Sequence, residues 1–341
     1  MPAPLLWITE QDVVSLVALD DAIPALERGL RSLGQGHAFN VPKVLGTFGD
    51  GSSMHSLASG APDLGYVGFK NWVHTKRGAT AVYVMFDAGD GSIAAIIEAA
   101  ALGQLRTAAM TGVGTRWLAA QGADDLALVG TGAQSITQVA AINAVRPLRR
   151  VRVWSPTADK RKAFAATLAQ HFPFRVVDAP SLEAAVKDAP IVTLVTRAKD
   201  PFLHASHLAR GAHLNAVGAI LPASAEFHQD VFDRVSAIGV DDVPSVQRAS
   251  KEFIERYGAG GDWSAVRPIG AIIAEGNGRP AGADVTLFKS MGMGVSDLSV
   301  ALMVIERARA RGIGHPIPHP VRAIPRWNPA AASAAQEATH E

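Results

Sequence analysis

The sequence predicts an α/β chain in which a doubly wound parallel sheet, covered by helices, follows an α+β unit. Three observations predict it. Gly130-Thr131-Gly132-Ala133-Gln134 follows the apolar run at 125–129 and opens a helical stretch, so a strand, a glycine-rich turn and a helix stand in the order of an anion site. From Asp124 onward, apolar runs at 126–129, 151–154, 174–177, 191–195, 213–217 and 235–239 alternate with amphipathic stretches at 135–144, 157–170, 181–188 and 203–209. Parallel strands need crossovers of that length. Residues 40–100 show a different pattern, short apolar runs bounded by Gly, Pro and Asp, which read as strands of an α+β unit.

In chain order, residues 10–34 read as one helix, with apolar residues at helical spacing from Val13 to Leu30 and Gly34 as its stop. Val41–Phe48, Ser53–Leu57, Gly65–Trp72, Ala81–Asp87 and Ser92–Glu98 read as strands, with Asp87–Gly91 a hairpin turn, and 103–121 as a helix. Beyond the alternating region, Asp284–Ser290 reads as one more strand and Val295–Arg311 as a strongly periodic helix. The expected units are an N-terminal α+β unit at 1–120, joined by the helix of 298–320, and a Rossmann-type unit at 121–297. The Pro- and Ala-rich tail at 321–341 is expected to be poorly ordered.

Composition narrows the function classes. With 341 residues, 48% of them hydrophobic, the chain can bury more than one core, in line with roughly two domains. Thirty-two Lys and Arg against 31 Asp and Glu leave a formal charge of +1, with the basic residues mostly scattered, which argues against a nucleic-acid partner. The absence of cysteine excludes disulfides, thiolate metal sites and thiol nucleophiles, and fits a reducing compartment. No signal-like N-terminus is present, and no window reaches the roughly 18 apolar residues of a membrane span. A soluble, cytoplasmic protein is expected.

The glycine-rich turn points to a dinucleotide. Glycine supplies positive φ and close backbone approach, and the helix start offers free N–H groups and the positive end of its dipole. The third glycine of the usual fingerprint is replaced by Ser135. Thr196, Val217 and Gly218 end the fourth and fifth strands, where a nicotinamide lies across the carboxyl edge. At the end of the second strand, Ser155 and Thr157 can bind a phosphate and Lys160 and Arg161 can offset its charge, with no acid at the strand end. NADP(H) is therefore favoured, while NAD(H) stays possible through Asp159. The histidines show no metal-ligand spacing, and no metal is expected.

Four ordered segments, Gly68-Phe-Lys70, Leu105-Arg-Thr-Ala-Ala109, Leu128-Val-Gly-Thr-Gly-Ala-Gln134 and Leu287-Phe-Lys-Ser-Met-Gly-Met-Gly-Val-Ser-Asp297, give the chain its family resemblance. Over about residues 5–315 it resembles the ornithine cyclodeaminase/mu-crystallin family. The resemblance implies a homodimer formed through the N-terminal domain and an active site in the cleft between the domains. It also implies chemistry on small α-amino or α-imino acids with NAD(H) or NADP(H).

The family positions that hold the substrate carboxylate match Lys70 and Arg106, and Lys43 falls where many members carry Arg. The residues themselves agree for two of these: Lys70 lies in an apolar strand beside Gly68 and Trp72, and Arg106 lies amid Leu, Thr, Ala and Met, so both charges are expected to face a pocket. For Lys43 a solvated position stays open. His55 and His74 flank the cleft and are candidates for setting substrate preference. Asp297 matches a family Asp near the cofactor, or caps a helix starting near Leu298.

One departure bears on the reaction. Where cyclodeaminases carry an acid, Val217-Gly-Ala-Ile-Leu-Pro222 places Ile220, unless the loop is shifted and Glu226 serves instead. An alkyl side chain neither holds a distal ammonium nor takes up a proton. The expected function is NAD(P)H-dependent reduction of a small 2-imino carboxylate by an imine reductase or amino-acid dehydrogenase. A cyclodeaminase-type lyase and a non-catalytic nucleotide- and ligand-binding protein are the alternatives.

Overall fold

The computed structural model describes residues 4–325 and resolves two eight-stranded sheets. The chain opens with β1 (Leu5–Ile8), α1 (Glu10–Leu16) and α2 (Leu19–Gly34). The single helix expected over 10–34 is thus two. Ala18 is extended, and its N–H donates to Asp21 Oδ2 at 3.3 Å, which starts α2 afresh. This local capping interrupts an otherwise continuous apolar period.

β2 (Phe39–Asn40), β3 (Val44–Phe48), β4 (Ser52–Ala61), β5 (Tyr66–Thr75), β6 (Gly78–Asp87) and β7 (Ile93–Glu98) form antiparallel pairs, and β1 adds parallel to β7. The strand expected from Val41 begins only at Val44, so Lys43 sits in a connection after Pro42, whose missing N–H cannot join a ladder. Alternation along β5 buries Gly68 and Lys70 on one face and exposes Phe69, Asn71 and Val73 on the other.

α3 (Ala100–Leu118) then leads into β8 (Asp125–Val129), α4 (Ser135–Val145), β9 (Arg150–Trp154), α5 (Ala158–His171), β10 (Arg175–Asp178), α6 (Leu182–Val186), β11 (Ile191–Leu194) and β12 (His213–Ala216). β13 (Val235–Val240), α7 (Val243–Ala249), α8 (Lys251–Tyr257), β14 (Val266–Pro268), α9 (Ile269–Glu275) and β15 (Val285–Lys289) complete the second sheet. Its order is β10-β9-β8-β11-β12-β15-β13-β14 with every pair parallel, which is the doubly wound arrangement. The amphipathic stretch at 203–209 is not a helix beyond a 3-10 turn at Ala205–His207, because Leu203 bridges to Phe227 instead.

α10 (Gly294–Arg311) returns to pack on α2, α3 and β4, and β16 (His315–Ile317) pairs with β1. One apolar cluster therefore joins both ends of the chain, with Ile23, Leu26, Val113, Leu298, Val304 and Ile305 all essentially inaccessible. Residues 318–325 carry no regular structure; the rest of the expected loose tail, 326–341, lies outside the described residues.

Candidate active site

The site starts from the inward face of the first sheet. Register sets His55 opposite Trp72 and Leu57 opposite Lys70, so these side chains share one face. The His55 and Trp72 rings stack with centroids 4.4 Å apart and planes 2° from parallel. Lys43 Nζ and Lys70 Nζ stand 5.4 and 5.5 Å from the Trp72 ring centroid. Two ammonium groups on one indole is an arrangement that a π face stabilises by about 0.5–2 kcal/mol each.

Arg106 comes from α3, whose start is held by Glu10: its carboxylate accepts from Ala100 N at 2.6 Å and Ala101 N at 2.7 Å. The helix N-terminus is thus capped from a distant element, and Arg106 follows one and a half turns later. Its Nε lies 3.4 Å from Asp297 Oδ1, and Lys70 Nζ donates to the same oxygen at 3.1 Å. Asp297 is fully buried, and its Oδ2 has no hydrogen-bond partner. The sequence groups Asp297 with the cofactor residues or at a helix cap. Its carboxylate pairs with Lys70 and Arg106, and because α10 already begins at Gly294, Asp297 lies in the first turn and does not cap the helix.

These charges shape one another. Burial, then Arg106 and Arg248, hold the Lys43 ammonium down at about 8. Burial also lowers Lys70, with Asp297 opposing the shift. His55 is pushed down to about 4 by burial, Lys43 and His74, so it is neutral near pH 7, with Nε2 2.9 Å from Ser53 Oγ. His74 stands two pairs further along the ladder, opposite Ser53, and is exposed. Lys43, Lys70 and Arg106 bring three positive charges together, and the Asp297 carboxylate touches two of them, Lys70 and Arg106.

The carboxyl edge of the second sheet closes this place. A Cβ on Gly292, just after β15, would stand 3.0 Å from Arg106 Nη1. Asp241, at the end of β13, accepts from Ser290 Oγ at 2.8 Å, Met291 N at 2.8 Å and Gly292 N at 2.7 Å, and so fixes that turn. Asn40 Oδ1 accepts from Gly294 N at 2.8 Å and its Nδ2 donates to Asp242 Oδ1 at 3.3 Å, joining β2 to the start of α10 and to the loop after β13.

The glycine-rich turn fits a dinucleotide on its geometry. Gly130 has φ +115°, and a Cβ there would lie 2.6 Å from Val195 O, so only glycine passes between β8 and β11. A Cβ on Gly132 would meet nothing within 4 Å, which leaves open space over the start of α4. Thr131 Oγ1 lies 3.3 Å from Ser155 Oγ, joining the ends of β8 and β9, while Ala133 is exposed and Gln134 Oε1 is buried without a partner. Thr157 and Lys160 are exposed just beyond β9. Ser155 is 5% exposed, and the Arg161 guanidinium is ion-paired with Asp178.

Val217 is buried, and Ile220 stands 39% exposed on the loop that follows β12. Glu226, the alternative acid, is not available: it is fully buried, and both oxygens accept hydrogen bonds from Thr196, Gly218 and Ala219. The sequence points to no role for Asp241, Glu252 or Lys289, although Lys289 falls inside the segment Leu287–Asp297. The signal for Lys289 was the one that singled out Lys70, a lysine inside an apolar strand.

The comparisons with known proteins agree with this architecture. The family model described as ornithine cyclodeaminase/mu-crystallin matches residues 6–312. A Delta(1)-pyrroline-2-carboxylate reductase from Bacillus cereus is 31% identical over 278 residues, covering 77% of this chain and 83% of that protein. An iminosuccinate reductase from Paracoccus denitrificans is 26% identical over 322 residues, covering 92% and 99% respectively. The structure of Thermococcus litoralis Delta(1)-pyrroline-2-carboxylate reductase in complex with NADH and L-proline has a TM-score of 0.85 at 22% identity, and the match spans 92% of this chain and 100% of that one. That last likeness is one of fold. Since the matched span takes in both sheets apart from the edge strand β16, the glycine-rich turn and every cation of the cleft, the chain belongs to the ornithine cyclodeaminase/mu-crystallin family.

Proposed function

We propose that the protein reduces a small 2-imino carboxylate with a nicotinamide dinucleotide. The observation that carries this reading is the cluster of three cations, Lys70 and Arg106 on the buried Asp297 carboxylate and Lys43 beside them, at the edge of a doubly wound sheet, with Ile220 where a cyclodeaminase needs an acid. Arg106 and Lys70 clamp the substrate carboxylate, Lys43 adds a third charge from the loop, and Trp72 with neutral His55 forms a flat wall for the rest of the molecule. A bound NAD(P)H supplies the hydride. Lys70, whose ammonium is made more acidic by burial, donates the proton to the product nitrogen. The relatives named above as imine reductases support this reading. Loss of nicotinamide absorbance on addition of a cyclic 2-imino carboxylate tests it.

Within this reading, residues 121–297 hold the dinucleotide and the N-terminal unit, completed by the C-terminal helix, holds the substrate. The cofactor is NADPH in preference to NADH. Thr157 and Lys160 are free at the end of β9 to meet a 2′-phosphate, and no acid ends that strand. The dissociation constant for NADPH is expected to be the smaller of the two, and Lys160→Ala to narrow the gap; tighter NADH binding would show that Asp159 reaches the ribose.

The protein acts as a homodimer. Val44, Phe48, Met54, Phe69 and Val73 stand 43–63% exposed on the outward face of β3, β4 and β5, a contiguous apolar surface of the kind that pairs. Light scattering at micromolar concentration is expected to give twice the mass of the chain, and a monomer would contradict it.

Activity also carries a pH signature. Lys43 is charged below about pH 8 and neutral above it, so kcat/KM, which reports the free enzyme, falls as pH rises through that value. Lys43→Arg, which keeps its charge, is expected to move this limb upward relative to wild type. Superimposable profiles for the two proteins would remove Lys43 from the clamp.

A further inference from the structure

The loops that follow β11 and β12 are gripped by buried charge. Glu226 Oε1 accepts from Thr196 N at 2.7 Å and from Thr196 Oγ1 at 2.8 Å. Its Oε2 accepts from Gly218 N at 3.0 Å and Ala219 N at 3.1 Å. All four donors point at the carboxylate, and only its ionised form satisfies them all. From the other side, Lys289 Nζ donates to Ala219 O at 2.7 Å. Lys289 also faces Glu252 Oε2 at 3.8 Å, and that carboxylate accepts from Glu226 N at 2.9 Å and Ser250 Oγ at 2.9 Å. The residue before Ile220 thus has its N–H held by one buried charge and its C=O by another.

The cluster is closed and tight. Lys289 and Glu226 are fully inaccessible, and Glu252 is 1% exposed. A Cβ on Gly218 would lie 2.2 Å from Thr196 N and 2.4 Å from Glu226 Oε1, so the two loops touch through the carboxylate with no room to spare. β11 also passes directly behind the glycine-rich turn, where Val195 O packs on Gly130. Charges buried this deeply are costly, and apolar side chains of similar volume would stabilise a core at least as well. What apolar packing does not supply is a fixed position for three backbone N–H groups and a carbonyl at the edge where the sheet meets its ligand.

We infer that Glu226, Lys289 and Glu252 form a charge clamp that positions the loops carrying Thr196 and Gly218–Ile220 for hydride transfer, with Glu226 as its central positioning residue. The inference rests on the reading of this edge as the nicotinamide side. Glu226 touches neither substrate nor cofactor in this account; it acts through the loops. Replacing Glu226 by Gln keeps the shape but turns one acceptor into a donor aimed at donors, and it leaves Lys289 facing Glu252 alone.

The experiment pairs amide hydrogen exchange of the cofactor-free protein with steady-state kinetics, on wild type and Glu226→Gln. Exchange in peptides covering Thr196 and 217–220 is expected to accelerate at least about tenfold while α3 and β5 stay protected, because only the tethered loops lose their acceptor. The turnover number is expected to fall about 100-fold, as a misplacement near 1 Å costs, with a smaller change in KM for the imino acid, whose clamp lies on other elements. Unchanged exchange overturns the clamp, and so does faster loop exchange with wild-type turnover. If Glu226→Gln does not fold, Glu252→Gln gives the same two readings, since its amide oxygen still accepts from Glu226 N while the charge beside Lys289 is gone. A wild-type protein that reduces no imino carboxylate overturns the functional reading itself, whereas an active wild type with an unaffected variant overturns the clamp alone.

Discussion

Arg106→Ala is expected to lower kcat/KM for 2-imino carboxylates by roughly 30-fold to several thousand-fold, the loss of about 2–5 kcal/mol typical when a buried charge loses its hydrogen-bonded partner. The guanidinium is 13% exposed and aligned by a helix whose start is pinned by Glu10, so it meets a carboxylate without reorganising. Lys70→Ala should lose activity on a similar scale and also destabilise the fold, because the fully buried Asp297 then loses the hydrogen bond from Lys70, which Arg106 Nε, 3.4 Å away, does not make. The two variants therefore differ in a thermal melt while resembling each other in kinetics. Nucleotide affinity should stay near that of wild type in both, since the glycine-rich turn is built by other elements. Wild-type turnover in both variants would show that the cations do not face the substrate.

Much of this site is legible in the sequence because its parts are local. The turn at 130–134 sits between a strand and a helix whose patterns are continuous with it, and the parallel sheet follows from the period of its apolar runs. Lys70 and Arg106 stand out because a cation in an apolar segment needs a partner. What the sequence hides is the partner. Asp297 lies 227 positions from Lys70, and nothing local distinguishes a carboxylate that pairs with a distant lysine from one that caps its own helix. The break at Val17–Ala18 is hidden for the opposite reason, since a single capping contact there outweighs an unbroken apolar period. Glu226 looks like a spare acid in a loop until its four donors are seen.

The second large effect is an absence of activity. Ornithine cyclisation needs a group to hold the distal ammonium and to take up a proton, and Ile220 offers neither. Glu226 cannot substitute, because its oxygens are committed to Thr196, Gly218 and Ala219, and His55 is held neutral by burial and by Lys43. Reduction of a preformed imine asks only for a clamped carboxylate, a hydride and one proton, none of which calls for an acid at position 220. The direct measurement is made on one preparation: ammonia released from ornithine, and nicotinamide absorbance lost when a cyclic ketimine carboxylate is added with NADPH. The structure predicts steady loss of absorbance with the ketimine and no release of ammonia above background; rapid ammonia release from ornithine, with no reduction of the ketimine, would contradict it.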